Sequence, residues 1–183
     1  MAHKGFKTTW YNFFLGVRMQ HGWWLYSVID DIMLENPQIE KVVEIGTGGG
    51  ALSVVLALHA VQRDTQLLTF DIQTRGHKPK VDKVFEKLGV QFVEEDVFDN
   101  VERIQKHIGD RPTFLFCDGG DKYEEFKTFA PLLPAGSIIA AHDYGDEILP
   151  KQMAGITEGY EPVLEELWLD KKYELYTCFY KKV

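Results

Sequence analysis

Four aspartates stand at the ends of apolar runs, and their chemistry frames everything else. Asp71 closes Leu67-Leu68-Thr69-Phe70, Asp96 closes the run that begins at Val90, Asp118 closes Thr113-Phe114-Leu115-Phe116-Cys117, and Asp143 closes the run from Ser137 to His142. Glu44 lies inside an earlier run, Lys41 to Ile45. One such aspartate is readily a helix cap, because Asp accepts from the open amides of a helix start. Four in register form a rim of carboxylates. Clustered carboxylates repel and raise one another's pKa unless a donor or a positive charge separates them. The rim therefore predicts a guest: ribose hydroxyls, an adenine amine, a sulfonium or ammonium, or a divalent metal.

The glycines after the first run supply the second half of a cradle. Lys41-Val42-Val43-Glu44-Ile45 leads into Gly46-Thr47-Gly48-Gly49-Gly50, and a helix-like pattern (Leu52, Val55, Leu56, Leu58) follows at once. Glycines accept unusual backbone angles and let amides approach a ligand. The helix that starts there presents open N–H groups and a positive dipole end. Strand, glycine turn and helix are the parts of a nucleotide-type site, or of a tightly packed turn.

The elements that position these residues follow from periodicity. Apolar runs at 41–46, 67–71, 90–96, 113–118 and 137–143 read as strands, and the segments 51–62, 79–88, 101–108 and 122–132 between them read as helices. Such alternation implies βαβ crossovers and a parallel sheet with helices on both faces. In such a sheet the strand ends share one edge, and ligands bind there. The runs 163–169 and 174–180, joined by Asp170-Lys171-Lys172, predict an antiparallel hairpin. The expected fold is α/β and Rossmann-like: seven strands, mostly parallel, the last one reversed. Aromatic and aliphatic residues from Trp10 to Leu34 predict one or two helices interrupted near His21-Gly22, ended by Glu35-Asn36-Pro37. The whole chain, 1–183, reads as a single domain: a helical cap over 1–36 and a core over 37–183.

Composition narrows the partners. The chain has 183 residues, 45% hydrophobic, enough for one substantial core. Its 20 basic and 28 acidic residues give a net charge of −8, which argues against nucleic-acid or anionic-membrane binding. No apolar stretch is long enough to span a bilayer. The two cysteines, Cys117 and Cys178, lie in apolar runs and read as buried hydrophobes, consistent with a reducing, cytoplasmic setting.

With these residues in view, the chain resembles the class I S-adenosylmethionine-dependent methyltransferases over 37–183. Val43-Glu44-Ile45-Gly46-Thr47-Gly48-Gly49-Gly50 resembles their first motif, which implies that Glu44, Gly46, Thr47, Gly48 and Gly50 serve the cofactor. Asp71 matches the acid that binds the ribose hydroxyls, with Ile72 beside it. Asp96 matches the one near the adenine amine, with Val97 beside it, and Asp118 borders the same cofactor site. Gln20, Glu44-Ile45-Gly46-Thr47 and His142-Asp143-Tyr144 are similar to the group of cephalosporin hydroxylase-like proteins and macrolide-sugar O-methyltransferases. In those relatives Mg²⁺ is held at the positions of Asp118 and Asp143. His142 stands where the sugar enzymes carry glutamate, and imidazole suits transition metals better than magnesium. The implied metal set is Asp118, His142 and Asp143.

What the resemblance implies chemically is transfer of a methyl group to a small-molecule hydroxyl. The hydroxyl must lose a proton, to a base or through a metal. His142 and Asp143 are the candidate catalytic residues, with His142 as base, as ligand, or as a hydrogen-bonded core histidine. Strand alternation points the two side chains apart until the strand ends. Gln20, His21, Trp23 and Trp24 either cover the cofactor or belong to the core. Arg75, His77 and Lys78 form a basic loop cluster, and 148–160 is either a substrate lid or a plain connection. The aromatic N-terminal helices are candidates for homodimer contacts. Two other readings stand beside this one. Gly46-x-Gly48-x-x-Ala51, with Asp71 about twenty residues on, fits an NAD-type oxidoreductase. A non-catalytic binding module on the same fold is the other.

Overall fold

The computed structural model describes residues 13–14, 16–72, 79–169 and 175–183. One sheet holds seven strands: β1 (Lys41–Ile45), β2 (Leu67–Phe70), β3 (Gln91–Val93), β4 (Thr113–Cys117), β5 (Ile138–His142), β6 (Tyr160–Pro162) and β7 (Thr177–Lys182). Their order is 3-2-1-4-5-7-6. Strands β1 to β5 pair in parallel, and β7 runs antiparallel to both of its neighbours. The helices are α1 (Trp23–Glu35), α2 (Ala51–Gln62), α3 (Pro79–Leu88), α4 (Val101–Ile108), α5 (Lys122–Phe129), α6 (Pro150–Met153) and α7 (Glu165–Leu169). This is the expected Rossmann-like arrangement.

Burial explains the apolar runs. Val42, Val43, Phe114, Leu115, Phe116, Ile138 and Ile139 are wholly buried, so the central strands have no wet face. Each such side chain contributes roughly 1.5–3 kcal/mol by leaving water. Helix α2 is apolar on nearly every side because it contacts β1, β2, α1 and α3. Both cysteines are buried and free.

Register is what builds the site. Ile45 pairs with Phe70 and with Cys117, and Cys117 pairs with Ala141. The next residues, Gly46, Asp71, Asp118 and His142, therefore leave the sheet side by side on its carboxyl edge. The strand order reverses between β1 and β4, which opens a crevice at that point.

Two predicted elements differ. The run 163–169 is not a strand: β6 occupies 160–162, and α7 follows. Leu164, Leu167 and Trp168 are spaced i, i+3, i+4, a helical signature masked by a short apolar run. Leu164 turns the chain with a φ of 52°, and Trp168 packs on Tyr144 and Tyr180 while its indole N–H reaches Val163 O. Before α1, Phe13–Phe14 pairs antiparallel with Val17–Arg18 around Gly16, where a helix is predicted. The segment 148–160 holds the short helix α6. Residues 1–12, the Arg75-His77-Lys78 cluster and the Asp170-Lys171-Lys172 turn lie outside the described residues. Among the described residues no helix is long and apolar enough to cross a membrane.

Candidate active site

The glycine turn is held from two directions. Gly46 N and Thr47 N donate to Phe70 O at 2.8 and 3.1 Å. Gly48 N donates to Asp71 Oδ2 at 2.7 Å, so the acid at the end of β2 pins the turn that follows β1. Gly46 has a φ of 92°, and a Cβ there would lie 2.0 Å from Asp118 O. Only glycine lets β1 and β4 approach this closely at their ends. Gln20 lies across Gly48.

Behind the turn, Glu44 is wholly buried. Thr69 Oγ1 donates to Glu44 Oε2 at 2.6 Å, Ser53 Oγ donates to the same oxygen at 2.5 Å, and Thr47 Oγ1 lies 2.6 Å from Thr69 Oγ1. A hydroxyl has one proton; Thr69 gives its own to Glu44, so Thr47 must donate to Thr69. Glu44 Oε1 has no partner among the described residues. Burial raises the carboxyl's pKa to about 7, against the pull of the two hydroxyls.

In front of the turn lies a cleft of about 510 Å³, within the range of small-molecule sites. Of the sequence-predicted residues, Gly46, Gly48, Asp71, Ile72, Asp96, Val97, Asp118, His142 and Asp143 line it. Glu44 and Thr47 are buried behind it, and Gly50, the αL residue before α2, faces Val81 and Phe85 of α3. Asp96 also caps the 3-10 turn Val97–Asn100, accepting from Phe98 N at 2.9 Å. Among the described residues, seven carboxyl groups line the cleft, those of Asp71, Glu95, Asp96, Asp118, Asp121, Glu125 and Asp143, and Lys122 is the one lysine or arginine. Such a wall favours a guest that carries positive charge.

The far side of the cleft joins three segments. His21, just before α1, has its Nε2 2.9 Å from Asp118 Oδ2 and its ring edge-on to His142 at 4.6 Å. Asp143 has a φ of 55°, which breaks the strand alternation, so His142 and Asp143 both line the cleft. His142 Nδ1 lies 2.7 Å from Thr177 Oγ1, and that hydroxyl gives its proton to Leu175 O. Nδ1 must therefore be the donor, which leaves the lone pair on Nε2, 3.4 Å from Oδ1 of the cleft-lining Asp143. Burial, helped by the neighbouring His21, lowers the His142 pKa to about 4, so the ring is neutral near pH 7.

Lys122 opens α5 and is buried. Its Nζ lies 2.5 Å from Glu147 Oε2, 3.0 Å from Asp143 Oδ2 and 3.7 Å from Asp118 Oδ1. These carboxylates outweigh burial and raise its pKa, so the ammonium is permanent. Glu125, one turn on, accepts from Gly119 N and Asp121 N and holds the loop after β4. Its own pKa is raised by burial to about 7.

Residues 43–144, more than half of the chain, match the profile of a family described as a methyltransferase domain. The chain belongs to that family. It is a methyltransferase by that match, and the oxidoreductase reading of the glycine turn falls away. Among solved structures the methyltransferase is similar to the apo form of CmcI, at 15% identity and a TM-score of 0.72, over 93% of this chain and 75% of that one. The Mg-SAM form of CmcI gives 14% identity and a TM-score of 0.69 over the same shares. The O-methyltransferase TomG from Streptomyces achromogenes, in complex with SAM, gives 15% and 0.55 over 87% of this chain and 78% of that one. None of the curated proteins compared matches the methyltransferase in sequence.

Sequence reasoning overlooked two members of the methyltransferase cleft, Lys122 and Glu125. The signal for Lys122 was its place four residues past Asp118, at the first position of the helix that follows β4. Glu125 sits four residues past Asp121, where a carboxylate can reach back to open amides at a helix start. His21 was grouped with Gln20 and the tryptophans; His21 and Gln20 line the cleft and the tryptophans do not. His21 meets Asp118, whereas Trp23 and Trp24 are more than half exposed. Among the described residues, His21, Asp118 and His142 bring ligand atoms within 4.8 Å of one another. The expected trio had Asp143 in place of His21, and Asp143 is paired with Lys122 instead.

Proposed function

We propose that this methyltransferase transfers a methyl group from S-adenosylmethionine to a hydroxyl of a small molecule. The observation that supports it best is the row of Gly46, Asp71, Asp118 and His142 along one sheet edge, opening on an acidic cleft at the strand switch. The cofactor supplies a sulfonium-activated methyl group. Asp71 and Asp96 would hold the ribose hydroxyls and the adenine amine, with Ile72 and Val97 against the ring, and Gly46 and Gly48 would let the backbone close on the cofactor. Glu44 would act from behind the turn, through Thr69 and Thr47. The acidic wall suits the positive charge of the sulfonium.

His142 is the base in this reading. Its Nε2 carries the lone pair beside Asp143 at the cleft, and Thr177 fixes that tautomer. An acceptor hydroxyl placed against Nε2 can pass its proton there as the oxygen attacks. Asp118 orients His21 beside it. A magnesium ion fits this chain poorly. Mg²⁺ asks for a near-octahedral shell of oxygens, whereas the atoms gathered here are two imidazole nitrogens and one carboxylate. Any ion on Asp118 and Asp143 must also displace the Lys122 ammonium or lie beside it.

Calorimetry with S-adenosylhomocysteine and with NADH, followed by transfer of labelled methyl groups to a panel of small hydroxyl compounds, tests the function. Binding of S-adenosylhomocysteine alone and labelled ethers are expected. Binding of NADH in its place overturns the reading.

A further inference from the structure

We propose that Lys122 is the built-in cation of this site: its ammonium, clasped by Asp143 and Glu147 beside Asp118, stands where a divalent metal would otherwise bridge the strand ends. The inference rests on the methyl-transfer reading above and deepens it. Three facts carry it. The two strand-end carboxylates offered as metal ligands, Asp118 and Asp143, both face Lys122 Nζ, at 3.7 and 3.0 Å. The lysine side chain is only 7% exposed, so it is part of the wall and not a surface residue resting there. Glu147, from the turn after β5, adds a third carboxylate at 2.5 Å, and that turn is itself tied to Asp143 O by the amides of Asp146 and Glu147.

The arrangement also assigns the ammonium a task. Two of its three protons are spoken for by Asp143 and Glu147. Asp118 Oδ1 at 3.7 Å is beyond hydrogen-bond length, so the remaining proton can turn to an oxygen entering the cleft. Lys122 would then donate to the acceptor oxygen while His142 Nε2 takes its proton. The lysine lowers the charge on the developing alkoxide, the work a Lewis acid does elsewhere. It is not a base, because a protonated ammonium has no lone pair to take a proton.

Mn²⁺ titration followed by electron paramagnetic resonance, with S-adenosylhomocysteine present, decides the matter. The wild type and Lys122→Arg should bind Mn²⁺ no better than millimolar. Lys122→Gln, which leaves Asp118, Asp143 and Glu147 without a cation, should gain a site at least tenfold tighter. If the variant is too unstable to titrate, Mn²⁺ should raise its Tm by several degrees and leave that of the wild type unmoved. Three results would overturn the proposal: tight Mn²⁺ binding by the wild type, tight Zn²⁺ binding by the wild type that His21→Ala abolishes, or no gain in Lys122→Gln by either readout. S-adenosylhomocysteine affinity is measured in the same samples. Its absence sinks the methyl-transfer reading, while the Mn²⁺ contrast still judges the lysine.

Discussion

Glu44→Gln tests the buried network behind the glycine turn. The carboxyl is fully buried and its pKa is raised from 4.5 to about 7. The folded chain therefore holds this proton more tightly than the unfolded chain does. As pH rises from about 4.5 through 7, the unfolded state releases its proton first, and stability falls. Above pH 7 the charged carboxylate costs the fold roughly 3 kcal/mol. Glutamine keeps an oxygen for Ser53 and Thr69 and places an uncharged amide at the position of Oε1, so the variant lacks this loss. Other groups complicate the raw curve. Glu125 acts with the same sign, whereas His107 and His142, with pKa values lowered to about 4, destabilise the fold as pH drops from about 6.5 toward 4. All three persist in the variant, so wild type minus variant isolates Glu44. Urea unfolding from pH 4 to pH 8 should show that difference shifting by roughly 3 kcal/mol in favour of glutamine. A difference that stays flat across this range refutes the buried, uncompensated carboxyl.

Gly46→Ala should lower stability by roughly 3 kcal/mol or more in the same assay, since its Cβ would meet Asp118 O at 2.0 Å with φ at 92°; a near-neutral result would contradict the close approach of β1 and β4. Asp71→Ala should weaken S-adenosylhomocysteine binding about 100-fold in calorimetry, because it removes charged acceptors worth roughly 1.5–3 kcal/mol each; an affinity within about threefold of wild type would take Asp71 out of the site. His142→Ala should cut kcat by roughly 10²-fold or more while cofactor affinity holds, and the wild-type rate should show no inflection from this ring near pH 6.5, its pKa lying at about 4.

The sheet was legible because its central strands are buried on both faces and read as unbroken apolar runs. The acid rim was legible because parallel register turns a sequence pattern into a row in space. Residues 163–169 misled because five helical residues and a short strand bury similar side chains, and only the i, i+3, i+4 spacing of Leu164, Leu167 and Trp168 separates them. The segment before α1 misled because its aromatics suit a hairpin as well as a helix. At the site, the positive φ of Asp143 decides where two side chains point, and no composition rule foretells it. Lys122 and His21 come to Asp118 from a helix start and from a segment 97 residues away. The first leaves only the mark of its i, i+4 spacing, and the second leaves none.

The position of β7 has a consequence for how the molecule is made. Strand β6 precedes β7 in the chain, yet β7 lies between β6 and β5. During synthesis the residues 160–162 must wait, unpaired, until 177–182 have left the ribosome and docked on β5. Clipping or masking the carboxyl-terminal strand would thus strip two strands at once, and would expose the flank of β5 that carries Thr177's hold on His142.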